Sequence, residues 1–146
     1  MYLLDTHTLL WFLRDSPQLS KKALEIITTE NKVYVSIASL WEIAIKKSIG
    51  KLEFEHSIEK IAELCHEKDI LILQIQPKYF DKVIKLPNIH NDPFDRLIIS
   101  QAIIENLVII TKDTIIPKYS VKTIWQLKIS NSLLHLALSY YFLYIL

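Results

Sequence analysis

Short, unbroken apolar runs alternate along this chain with longer stretches in which apolar residues recur every three or four positions. The short runs, at 2–4, 33–36, 70–73, 107–111 and 121–124, are rich in Val, Ile, Leu, Tyr and Thr and are expected to be strands. The periodic stretches predict helices over 7–14, 20–29, 38–48, 57–67, 77–84 and 93–105. Strands that are apolar on both faces and separated by helices indicate an α/β domain, a parallel sheet covered on both sides. Within 37–49, Ile37, Leu40, Trp41, Ala44, Ile45 and Ser48 share one stripe, which is expected to face the core. No internal repeat or low-complexity linker interrupts the alternation.

The composition narrows what such a domain can do. A chain of 146 residues with 51% apolar residues can bury one core, and it is too short for two ordinary domains. Lysine and arginine total 17 against 16 acids, so no strong overall field steers a polyanion toward it, and a nucleic-acid surface must be a local patch. The only glycine, Gly50, follows a helical pattern and reads as its C-terminal cap. A phosphate-cradling glycine loop, a dinucleotide fingerprint and a G-x-S-x-G elbow are therefore all excluded. One cysteine, Cys65, allows no internal disulfide and is expected as a buried apolar thiol in a reducing compartment. The first residues carry no basic segment and Asp5 interrupts their apolar run, so no secretory leader is expected and the cytoplasm is the expected location.

Carboxylates are the candidate chemistry. In open α/β sheets the functional crevice lies at the carboxyl ends of the strands. Asp5 follows the first strand, Asp113 follows the run LVIIT, Glu42 lies on the helix after VYVS, and Asp92 and Asp95 open the helix before the Asp113 strand. Acids gathered at one edge repel one another unless a cation shares the site. A hard divalent ion, Mg²⁺ or Mn²⁺, takes oxygen ligands and supports hydrolysis of a phosphodiester with no protein nucleophile. Each acid also has a structural job open to it. Asp92, Pro93 and Asp95 suit a helix start, Asp5 and Asp113 suit turns or caps, and Glu42 with Lys46 has the spacing of an exposed helix pair.

The segments LDTHTLLWFL, SIASLWEIAIKKSIGKL, HNDPFDRLIISQA and VIITKD, in this order, resemble the PIN-domain ribonucleases, specifically the VapC-type toxins of bacterial toxin-antitoxin pairs. The resemblance runs from Tyr2 to about Trp125. It implies a three-layer α/β/α fold with a mostly parallel central sheet, and a divalent-metal site lined by Asp5, Glu42, Asp95 and Asp113. It further implies endonucleolytic cleavage of RNA, inhibition by a cognate antitoxin and frequent homodimerisation. Thr6 and Thr111 match positions where the family often has a hydroxyl near the metal or its waters, and a local turn hydrogen bond is their alternative role. His90, Asp92 and Arg96 belong to an H-x-D-P-F-D-R variant of the motif; Arg96 is placed either on phosphate or against Asp92. Lys46, Lys47 and Lys51 form a basic edge suited either to RNA backbone or simply to solvent.

The remaining candidates carry less. His7, His56, His66 and His135 are scattered without zinc-ligand spacing. Trp11, Phe12 and Trp41 have aliphatic neighbours at helical spacing and are expected in the core or a dimer interface before they serve as base-stacking platforms. A haloacid-dehalogenase-type phosphatase would need D-x-D, and position 7 is His. A non-catalytic interaction module on a PIN fold is the other rival, and such a module has little reason to keep all four acids.

The chain thus divides into a domain at 1–126 and a hydrophobic extension at 127–146, expected to be helical. LKISNSLLHLALSYYFLYIL approaches the ~20 residues that span a bilayer, but Lys128, Asn131, His135 and several serines dilute its first half. Docking on the domain or on a second chain is favoured over a membrane anchor, because Leu, Ala, Tyr and Phe cover most of a helix circumference. Truncation after Trp125 is expected to change oligomer size or lower thermal stability, measured by light scattering and calorimetry. Unchanged values overturn docking, whereas detergent-dependent recovery of the full chain from membranes marks an anchor.

Overall fold

The computed structural model describes residues 1–126, and the 127–146 extension lies outside them. Five strands, β1 (Tyr2–Leu4), β2 (Val33–Ser36), β3 (Ile70–Leu73), β4 (Val108–Ile110) and β5 (Thr123–Ile124), pair in the order β3-β2-β1-β4-β5. All four pairings are parallel, with Leu3 opposite Tyr34 on one side and Ile109 on the other. Six helices connect them: α1 (Thr6–Leu13), α2 (Lys21–Thr29), α3 (Ile37–Ser48), α4 (Ile58–Glu67), α5 (Pro77–Lys85) and α6 (Pro93–Ile104). This is the three-layer α/β/α arrangement, and the described sheet is wholly parallel.

Successive strand residues point to opposite faces and so feed two cores. Leu4, Val33, Val35 and Ile110 pack under α1, α2 and α4, with Leu40 and Ile43 of α3. Leu3 and Ile109 pack against Ile98, Ile99 and Ala102 of α6. A smaller cluster of Ala38, Tyr79 and Leu97 joins α3, α5 and α6. Cys65 is buried as expected, and the apolar surroundings push its thiol up to about 11, which keeps it an unreactive core residue.

Helix boundaries follow side-chain caps. Ser20, Ser36 and Ser57 each accept a backbone N–H from the first turn of the helix that follows, so α2 and α4 start one residue after their expected first residue. Asp5 caps α1 in the same way, which starts that helix at Thr6. Gly50 closes α3 as expected: at φ +70° it donates to the Lys47 carbonyl, while Lys51 donates to that of Lys46 at 2.8 Å. The 121–124 strand is shorter than expected because Val121 N–H turns back onto the Tyr119 carbonyl. A short 3-10 turn, Ile116–Lys118, had no counterpart in the periodicity.

One predicted face is corrected. Ser39, Leu40, Glu42 and Ile43 are the buried side of α3, whereas Trp41, Ile45 and Ser48 are exposed, Trp41 by 59%. Ala38 on the buried side packs against Tyr79 of α5 and Leu97 of α6. Trp41 instead rests on Phe94 at the start of α6, ring edge to face with centroids 5.3 Å apart.

Candidate active site

Strand order fixes where a site can form. From β1 the chain proceeds to β2 and β3 on one side, then crosses back to β4 and β5 on the other, so β1 and β4 flank the switch point. Crevices open outside the carboxyl ends of strands at such a point. The Ile110 carbonyl clasps the two strand ends together, accepting from Asp5 N–H at 3.2 Å and from the Thr8 hydroxyl at 2.9 Å. Asp5 and Thr111 are thereby brought side by side.

Asp5, Asp113, Asp92 and Glu42 are tied down by groups close to them in the chain or by one neighbouring helix. Asp5 Oδ1 accepts from Thr8 N–H at 2.6 Å, and the Thr111 side chain is a further hydrogen-bond partner. Asp113 Oδ1 accepts from Ile115 and Ile116 N–H at 2.6 and 2.7 Å, which caps the 3-10 turn, while the Thr111 hydroxyl accepts from Asp113 N–H. Asp92 Oδ1 accepts from Phe94 and Asp95 N–H, so it is the N-cap of α6. Glu42 is buried to 4% exposure, with one oxygen taken by the Thr6 hydroxyl and the other by the Lys46 ammonium, both at 2.5 Å. Capping and service at the crevice are thus compatible, because a carboxylate bound through Oδ1 can still present Oδ2.

Asp95 senses the acids around it. Asp95 is pushed up to about 7, first by burial and then by the charges of Asp92, Glu42, Asp5 and Asp113. Burial likewise raises Asp5, opposed by hydrogen bonds from Thr111 and Thr8. Among the described residues, no group of three or more His, Cys, Asp or Glu side chains is already arranged to hold a metal ion. Asp5, Asp95 and Asp113 have the chemistry to hold such an ion; Glu42 would have to share itself with Lys46.

Several neighbours differ from expectation. Arg96 is not a partner of Asp92: its guanidinium donates to the carbonyls of Val83, Leu86 and Pro87 at 3.0, 3.3 and 2.9 Å, stapling the α5–α6 connection to α6. Lys46 pairs with Glu42 and Lys47 donates to the carbonyls of Phe54 and His56, while Lys51, the third member of the expected basic edge, is exposed. Thr8 has no counterpart in the sequence reading, and His90 is named there only as part of the motif, with no role of its own. His90 Nε2 stands 3.2 Å from Asp95 Oδ2 and 3.7 Å from Asp113 Oδ2. Its position inside the H-x-D-P-F-D-R segment was the available signal, but the loop before α6 has no periodicity from which its direction could be read. A surface hollow of about 610 Å³ bordered by Phe12, Ile27, Lys68 and Asp69 lies at the opposite, amino-terminal edge of β2 and β3 and contains none of the four acids.

A family model for the PIN domain matches residues 2–122. The chain belongs to the PIN domain family. Solved structures with the same fold include VapBC2 from Rickettsia felis bound to a DNA fragment from its promoter, at TM-score 0.65 and 18% identity over 86% of this chain and 98% of that one. FitAcB from Neisseria gonorrhoeae aligns at TM-score 0.60 and 17% identity, and VapBC-1 from nontypeable Haemophilus influenzae at 0.59 and 19%; each alignment covers 84% of this chain and 96% of the other. No curated protein matches the sequence. Among the described residues of this PIN domain, no helix is long and apolar enough to cross a membrane.

The Asp95 environment generates a pH dependence in the metal-free PIN domain. Its carboxyl titrates near 7 when folded and near 3.8 in an unfolded chain, so the folded form holds the extra proton between those values. This contribution to stability is complete below about pH 4 and is lost as pH rises through 7. Asp95→Asn, neutral throughout, is expected to remove that decline and to raise metal-free stability at pH 8 by ~2 kcal/mol. Thermal melts from pH 5 to 8 in chelator measure both effects, and identical pH profiles for the two proteins would contradict them.

Proposed function

We propose that this PIN domain is a divalent-metal-dependent endoribonuclease acting as the toxin of a toxin-antitoxin pair. The observation that carries the reading is the convergence of Asp5, Asp95 and Asp113, with Glu42 behind them, at the β1/β4 switch point. Membership of the PIN family and the fold shared with VapBC and FitAcB chains support it. Bound Mg²⁺ or Mn²⁺ would supply an activated water and neutralise charge on the phosphate. The chain's part is to present carboxylate oxygens on fixed elements. Thr8 and Thr111 orient Asp5, the amides of Ile115 and Ile116 orient Asp113, and the first turn of α6 carries Asp95. Thr6 and Lys46 hold Glu42 at the edge of the group and absorb part of its charge.

The same reading covers partners. Trp41, Ile45 and Ile49 form an exposed apolar stripe along α3, one residue round from Glu42. We assign this surface to protein contact, with a cognate antitoxin or with a second copy in a homodimer. Phe80 and Ile84 add a second exposed apolar strip on α5.

Asp5→Asn is expected to lower Mg²⁺-dependent RNA cleavage by at least ~100-fold, more than the loss of an outer partner of a metal ligand, while circular dichroism stays unchanged. Wild-type cleavage by that variant overturns the metal-site reading. Phosphate release from small monoesters without RNA cleavage would instead indicate a phosphatase, and neither activity would leave the binding module. Expression of the chain alone is expected to arrest bacterial growth, and a small protein encoded beside it to relieve the arrest. Unimpeded growth with folded, abundant protein counts against the toxin role.

A further inference from the structure

His90 is a buried imidazole facing the acids that the proposed chemistry has not used. It is 8% exposed, and its main chain is locked in place, with its N–H donating to the Tyr119 hydroxyl at 2.7 Å. Arg96 and Tyr119 also bind the Pro87 carbonyl, so the whole approach to His90 is braced from α6 and from the turn after β4. On the ring, Nδ1 accepts the Asp92 N–H at 3.1 Å. A neutral imidazole that accepts at Nδ1 carries its proton on Nε2. That Nε2 is sealed from solvent and lies within reach of Asp95 Oδ2 and Asp113 Oδ2, yet it is aligned for a regular hydrogen bond with neither. A buried donor without an aligned partner is costly unless something else at the site makes use of it.

We propose that His90 is a positioning residue: its Nε2–H, held between Asp95 and Asp113, sets how two carboxylates from different elements face the position of the cation. The inference rests on the metal-dependent reading above. Asp95 rides on α6 and Asp113 on the turn after β4, and among the described residues no other side-chain donor is recorded within ion-pair distance of both. Donors behind ligating carboxylates fix their orientation, and their loss typically weakens metal binding 10- to 100-fold. A purely structural role would instead reside in Nδ1, which orders the loop through Asp92.

Asparagine and glutamine separate the two roles, because the Asn amide reaches the Nδ1 position and the Gln amide reaches that of Nε2. Mn²⁺ is titrated calorimetrically into the full-length, metal-free chain, with circular dichroism and thermal melts run alongside. His90→Asn is expected to weaken Mn²⁺ binding ~10-fold or more, and His90→Gln to retain most of the affinity. Unaltered affinity in His90→Asn overturns the proposal. So does equal weakening in both variants, or greater weakening in His90→Gln, each of which assigns His90 to loop order alone. If the unaltered protein binds Mn²⁺ and cleaves RNA, such results sink only the role of His90; if it binds no Mn²⁺, the metal reading falls together with this one.

Discussion

The parallel pairing of β1 with β4 is the constraint from which the rest of this molecule follows. These strands are a hundred residues apart in sequence, and their union at the centre of the sheet creates the switch point and opens a crevice there. A single carbonyl, that of Ile110, reaches across to the Asp5 amide and the Thr8 hydroxyl and closes the joint. Only because that joint exists do Asp5 and Asp113 stand on one edge, with α6 delivering Asp95 beside them.

Such an edge is electrostatically expensive, and the structure shows how the cost is divided. Asp5, Asp92 and Asp113 each accept backbone N–H groups at the start of a helical turn, where the local dipole is positive. Glu42, the most deeply enclosed of the acids beside Asp5, has a hydroxyl and an ammonium instead. Asp95 has neither a backbone cap nor a lysine, and it is the carboxyl lifted furthest toward neutrality where a value is resolved. Strain concentrated on one group with named electrostatic causes is characteristic of functional sites.

Around that edge, polar residues that look like functional groups work as fasteners. Arg96 spends its guanidinium on four carbonyls, from the end of α5 to His90, and Lys47 spends its ammonium on two in the loop after α3. The apolar residues show the reverse displacement, since Trp41 and Ile45 are left on the surface beside the site rather than in the core. Side-chain chemistry alone would have exchanged these roles.

Strand and helix positions, the parallel sheet, the Gly50 cap and the presence of acids near the strand ends were legible in the sequence, because each depends on a local signal: period, capping residue or the residue that follows a strand. The outward rotation of α3 was not, since its apolar residues occupy two adjacent faces and only packing against α6 and the sheet decides which is buried. The direction of Arg96 and the convergence of His90 on Asp95 and Asp113 were equally hidden. Those contacts run through a loop without periodicity and depend on a turn 29 residues further on, where Tyr119 meets His90. Local sequence determined which groups were present and which elements carried them, while the partner of each group was decided by the order of strands in the sheet, which brings distant elements into contact.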